Sequence, residues 1–260
     1  MSISPEMIHQ IAQSFFTAED NHQPIQPVAA FYPDISVEEA YRVQAAVVSG
    51  WTERGYRIVG KKAAATSQAA QAKMHIQEPI YGHLFDFQQA ASGSTLSAMH
   101  FIQPFIECEL AFVFNCAVSG PNLTPADILA ATHVVAAFDI VDFRTTEFQV
   151  GMPEALCYNV YTRHFVLGQQ SADPAGLDLP NLKVTLAQNG TEVASATGAA
   201  IMGDPVRSIT WVANKLAEHG RSLEAGHFIL TGAITRPQPI QPGNHFSAAF
   251  EALGTLAVSF

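Results

Sequence analysis

A chain of 260 residues with 48% hydrophobic and 14% charged side chains can bury a large core, which excludes a disordered protein. Thirteen basic residues against 23 acidic ones leave a net charge of −10, and no basic run could track a phosphate backbone, so nucleic acid is excluded as a partner. Three cysteines (Cys108, Cys116, Cys157) without metal-type spacing indicate reduced thiols and a cytoplasmic protein. The N-terminus lacks the basic and apolar regions of a signal peptide. No apolar run reaches the roughly 18 residues of a membrane span, so no membrane role is expected.

Ser4-Pro5 starts a helix with Met7, Ile8, Ile11 and Phe15 on one face. Ser36 and Glu39 form a capping box for a second helix that Gly55 ends. From Tyr56 the texture changes to short strands, expected at 56–61, 79–85, 100–115, 134–142, 160–168, 182–189, 192–198, 227–235, 244–250 and 254–260. Further helices are expected at 67–74, at 125–133 after the Thr124 cap, and at 205–219 after the Asp204 cap. Asn189-Gly190 predicts a tight hairpin, and the Pro- and Gly-rich stretch 232–243 an ordered loop. The fold class is therefore α+β: one domain over 1–260, with a helical segment at 1–55 and a mixed, curved sheet from 56 onward.

The stretch 105–114, FIECELAFVF, is apolar except for Glu107 and Glu109. A strand has a period of two, so both glutamates share one face, about 6.6 Å apart at Cα. Burying two ionised carboxylates costs several kcal/mol each unless a cation pairs with them. Either that face is solvent-exposed, or a hard cation such as Mg²⁺ sits there. Asp139 and Asp142, three apart in HVVAAFDIVDFR, face opposite sides of their strand. Either both lie near a strand end in solvent, or one completes a metal site while the other orients Arg144. In RIVGKKAAATS, alternation turns one of Lys61 and Lys62 inward and the other outward; a surface pair is the plainer alternative.

The paired glutamates occur in order with VGKKAAATS, EPIYGHLFDF, DIVDFR, GAAIMGDPVRSITWVANKLAEHG and LEAGHFILTGAITRPQPIQPG. Together these resemble the 2-keto-4-pentenoate hydratase / 4-oxalocrotonate decarboxylase family, within the fumarylacetoacetate hydrolase superfamily. The resemblance runs from YPDISVEEAYRVQ to the C-terminus. It implies a β-roll of the fumarylacetoacetate hydrolase type and a lyase using Mg²⁺ or Mn²⁺ on 2-oxo acids from the ring-opened products of catechols. It further implies Glu107, Glu109 and Asp139 as metal ligands and Lys62 as the catalytic lysine, leaving Lys61 outward. Ser67, Ile80, Asn159 and Arg236 are implied to meet the substrate. Members of the family associate, so a homo-oligomer, able to pair with a pathway partner enzyme, is also implied.

Several positions depart from the family pattern. Asp139 stands where glutamate is usual, Ala64 where the lysine loop has glycine, and Tyr158–Tyr161 (YNVY) where DNAS is usual. Hydratases of the family carry an aspartate after the proline of the Pro-Asp-Phe-Gly or Pro-Asp-Tyr-Gly segment; here Ile80 follows Pro79, as in the decarboxylases. Arg144 with Phe148 four residues on also resembles the decarboxylases. FIECELAFVF and TRPQP instead resemble the hydratase for a seven-carbon dioic acid. The expectation leans to 2-oxohex-3-enedioate (4-oxalocrotonate) decarboxylase. Hydration of 2-hydroxypenta-2,4-dienoate or 2-oxohept-4-ene-1,7-dioate, a diverged lyase or isomerase, and a non-catalytic partner subunit remain open.

Overall fold

The computed structural model describes residues 3–30, 32–146 and 151–260. Two helices come first, α1 (Pro5–Asn21) and α2 (Val37–Glu53). The Ser4 side chain caps α1, and Ser36 and Glu39 form the reciprocal box that starts α2; each such cap contributes about 1 kcal/mol. Phe15, Phe16 and Trp51 meet edge to face between the helices, and Phe15 stacks on Tyr158. The helical segment thus backs onto one end of the sheet. No helix among the described residues is long and apolar enough to cross a membrane.

The larger sheet contains β1 (Ile58–Ala64), β2 (Ile80–Phe85), β3 (Gln89–Ala90), β4 (Pro104–Phe114), β5 (Thr132–Asp142) and β6 (Thr162–Ala172). Later residues add β9 (Phe228–Leu230) and β10 (Gln238–Pro239), and the strand order is β2-β1-β9-β4-β5-β6-β3 with β10 also on β4. Two pairings, β1 with β9 and β3 with β6, are parallel; the sheet is mixed and curled. A second sheet, ordered β12-β11-β7-β8, holds β7 (Lys183–Gln188), β8 (Thr191–Thr197), β11 (His245–Phe250) and β12 (Gly254–Ser259). Asn189 and Gly190 both take positive φ between β7 and β8, the backbone that a two-residue hairpin requires. Helices α3 (Gln68–Met74), α4 (Pro125–Ala131), α5 (Met152–Cys157) and α6 (Pro205–Glu218) complete the chain.

The expected α+β class and the helix-then-sheet order are what the structure has. Three differences have physical causes. The expected strand 227–235 stops at Leu230, because Gly232 at φ +93 breaks the extended backbone beside β4. Strand pairing with β4 resumes at β10, beside Phe105 and Ile106. Between the two, residues 231–237 follow β4 without forming a strand: Thr231 N–H donates to Leu110 O at 3.0 Å and Ile234 N–H to Cys108 O at 2.8 Å. The stretch expected as helix to 133 becomes strand at Thr132, where the backbone turns extended. The six-residue α5 carried no signal of its own: it starts at Met152-Pro153 and is built largely of residues buried against α2.

Candidate metal centre and active-site cleft

Antiparallel pairing sets Glu107 of β4 directly opposite Asp139 of β5, so the two acids share a face with Glu109. Oxygens of Glu107, Glu109 and Asp139 all lie within 4.8 Å of one another. Glu109 and Asp139 are fully buried, while Glu107 is half-buried. The Gly232 N–H donates to Glu109 Oε2 at 2.7 Å, but Glu109 Oε1 and Asp139 Oδ1 are buried without a hydrogen-bond partner. Burial pushes all three acids above the ordinary carboxylate range. For Glu107 the result is about 7: Lys62 opposes the rise and Asp139 adds to it. In Glu109 burial is reinforced by Asp139 and then Glu107; in Asp139 it is opposed by Lys62.

Lys62 of β1 points at this cluster. Its Nζ forms an ion pair with Asp139 Oδ2 and donates to Val160 O at 3.2 Å. Burial works against the ammonium, but Asp139, then Glu107 and Glu109, outweigh it and hold Lys62 above its ordinary value. One ammonium cannot balance three carboxylates. Two orphaned carboxylate oxygens and raised proton affinities are what an oxygen-ligand site for a hard divalent cation looks like before the ion's charge is counted. The donor set fits such a cation.

Glu107 and Glu109 open onto a cleft of about 460 Å³. Ser67, Ile80 and Arg236 line it, as does Lys62; Asn159 does not. The expected substrate contact at Asn159 is replaced by a structural bond. Its side chain accepts from His83 N at 2.7 Å and donates to His83 O at 2.8 Å, clamping β2. Asn159, Val160 and Tyr161 all take positive φ, near 51 to 57°. Such a run is strained in non-glycine residues, above all in a β-branched valine; its outcome is that the Val160 carbonyl meets Lys62. The Ser67 hydroxyl caps α3, accepting from Ala70 N at 3.2 Å, while facing the cleft.

Lys61 corrects an expectation. It turns away from the cleft, but not to solvent: it is 7% exposed, opposite His83 on β2. Phe148 lies outside the described residues. Residues that sequence reasoning missed are Tyr161, whose buried hydroxyl has no partner, Lys73 on α3, and Thr66, packed where a Cβ on Gly232 would fall. Spacing carried no sign of Tyr161. Lys73 follows from Ser67, since the helix that Ser67 caps must carry its later turn along the cleft.

The fumarylacetoacetate hydrolase C-terminal family model matches residues 54–260. The chain belongs to this family. As a member of the fumarylacetoacetate hydrolase family, it is 33% identical over 260 residues to a 4-oxalocrotonate decarboxylase of Pseudomonas sp. (strain CF600), covering 100% of this chain and 98% of that one. It is 34% identical over 257 residues to a 2-oxo-hept-4-ene-1,7-dioate hydratase of Escherichia coli, covering 96% of each. Among solved structures, the 4-oxalocrotonate decarboxylase from Pseudomonas putida G7, complexed with magnesium and adipate, superposes with a TM-score of 0.95. The two are 32% identical, over 100% of this chain and 99% of that one.

Proposed function

We propose that this chain is a divalent-metal-dependent lyase of 2-oxo acids from aromatic catabolism, and that its reaction is decarboxylation of 2-oxohex-3-enedioate. Named relatives include both decarboxylases and hydratases of this group, which supports the lyase class. The observation that carries the choice is the cleft lining. Glu107 and Glu109 are its only carboxylates among the described residues, and Ile80 stands where the hydratase pattern has an aspartate.

Glu107, Glu109 and Asp139 would hold Mg²⁺ or Mn²⁺. The ion supplies electrophilic stabilisation of negative charge developing on the oxygens of a 2-oxo acid. Lys62, held by Asp139 and the Val160 carbonyl, is positioned as the proton donor to the 2-oxo oxygen, which receives the electron pair of the broken C5–C6 bond to give a 2-hydroxydienoate. Neutralising the three acids weakens the field that keeps Lys62 protonated, which eases that transfer. Loss of CO₂ from the remote carboxylate requires no protein acid at that carbon, and the buried Ile80 withholds solvation from the departing charge. Arg236 and Lys73 line the cleft and are exposed, which suits attraction of a dianion. A tight ion pair to the departing carboxylate would slow its loss.

A second reading is hydration of a seven-carbon dioate, favoured by the Thr235-Arg236-Pro237 wall and by Lys62 as the acid in place of the missing aspartate. One experiment separates them: protein with Mg²⁺ is given 2-oxohex-3-enedioate or, separately, 2-oxohept-4-ene-1,7-dioate. Stoichiometric CO₂ from the first, with no comparable hydration of the second, is expected. Efficient hydration without CO₂ release overturns the decarboxylase reading, and no turnover of either supports a non-catalytic partner subunit.

A further inference from the structure

On the face of β1 opposite the cleft, Lys61 and His83 are cross-strand partners, both almost fully buried. Directly paired residues bring their Cβ atoms to about 5 Å. None of the described residues accepts a hydrogen bond from Lys61 Nζ or forms an ion pair with it. Arg221, in the loop after α6, reaches the same place, its Nη1 3.4 Å from His83 Nε2. A guanidinium can only donate, so Nε2 accepts and the imidazole proton resides on Nδ1. His83 Nδ1 is buried and has no partner. The face therefore carries an ammonium with no protein acceptor and a buried imidazole N–H with none, beside a guanidinium.

The surrounding charges do not supply the missing acceptor. On α6, Lys215 engages Glu78 and Glu218, and Trp211 also donates to Glu78. Glu224 acts on His227, whose own charging is opposed by burial and Lys61. Burial, then Arg221, lowers Lys61 to about 7. Burial, then Lys61 and Arg221, holds His83 well below its ordinary value. No carboxylate contributes at Lys61 or His83, although the chain carries 23 acids against 13 bases. Without a counter-charge such groups are driven toward their neutral forms; an oxyanion there would favour the ammonium of Lys61 and give His83 Nδ1 an acceptor.

We propose that Lys61, His83 and Arg221 form a binding site for a small oxyanion, separate from the metal centre and on the other side of the catalytic strand. The ligand class is a carboxylate or a tetrahedral inorganic oxyanion: two or more oxygens are needed to accept from Lys61, His83 Nδ1 and Arg221 together. The occupant would tie β1 to β2 and to the loop after α6, one residue from Lys62.

The test is calorimetric titration of the Mg²⁺-supplied protein with sodium sulfate at pH 6 in chloride buffer, repeated with sodium acetate to tell inorganic from carboxylate ligands. Wild type should bind one anion per chain. Lys61→Met and Arg221→Ala should each weaken it at least tenfold. Neither residue lines the cleft, so anions binding there would be unaffected, and the exposed Arg221 can be truncated without risk to folding. Absence of binding in wild type, or equal binding in both variants, overturns the proposal. A crystal soaked in selenate should show anomalous density between the three side chains. A carboxylate from a second copy there, with selenate excluded, overturns it as well.

Discussion

Glu109 has one oxygen bonded to the Gly232 N–H and the other buried without a partner. Glu109→Gln keeps the volume and the bond to Gly232 but removes the charge a hard cation needs. Mg²⁺ binding measured by calorimetry should disappear; unchanged affinity would mean that the acids serve only Lys62. Asp139→Glu should retain binding, because it restores the longer ligand usual in the family pattern. Gly232 is demanded twice over: its φ is +93°, and an added Cβ would lie 2.3 Å from Thr66 Oγ1. Gly232→Ala should therefore displace the loop and lose at least tenfold in metal affinity, with helical circular dichroism unchanged. Lys62→Met should lower kcat by a hundredfold or more, the usual worth of a positioned proton donor, whereas Lys61→Met should leave kcat within a few fold. Equal, small effects would place the proton donor elsewhere.

The pairing of β4 with β5 turns three acids spread over 33 positions of sequence into one cluster, and alternation made its first half legible beforehand. Glu107 and Glu109 had to share a face; which face Asp139 took relative to them depended on the cross-strand register, which no local pattern fixes. Lys61 shows the same limit. Alternation separates it from Lys62, but whether the far side of β1 is water or packed protein depends on β2 and α6. Helix α1 docks through a link that sequence also hid. Glu19 is buried against Arg144 and Arg163, and Arg144 in turn donates to Asp142 O and Thr162 O at 2.7 and 2.8 Å. Burial would raise the Glu19 carboxyl, but the two guanidinium groups outweigh it and lower it below 4.5. A lowered acid contributes stability that is complete above its unfolded value and is lost as pH falls through the folded one. Glu19→Gln should cost about 3–5 kcal/mol at pH 7 in urea unfolding, the usual cost of breaking a buried pair. The gap to wild type should narrow below pH 4.5; a constant gap would assign the loss to packing alone.

Across the molecule, most elements were readable from caps, alternation and the Asn189-Gly190 turn, since each is stabilised by neighbours in sequence. What was not readable came from long-range packing: α5, the left-handed turn at Asn159–Tyr161, and the irregular backbone of 231–237 beside β4. These are the pieces that close the cleft around the acids. The sheet brings Glu107, Glu109 and Asp139 to the inner wall, with Ile80, Arg236 and Lys73 also lining the space. The proposed lyase chemistry requires a divalent ion among those three acids with a 2-oxo acid beside it. The direct measurement is anomalous scattering from a crystal grown with Mn²⁺ and oxalate. One Mn²⁺ per chain is expected, bound by Glu107, Glu109 and Asp139, with oxalate on its open positions and Lys62 within hydrogen-bond reach. Mn²⁺ bound elsewhere, or the Lys62–Asp139 pair intact with no ion among the acids, would contradict it.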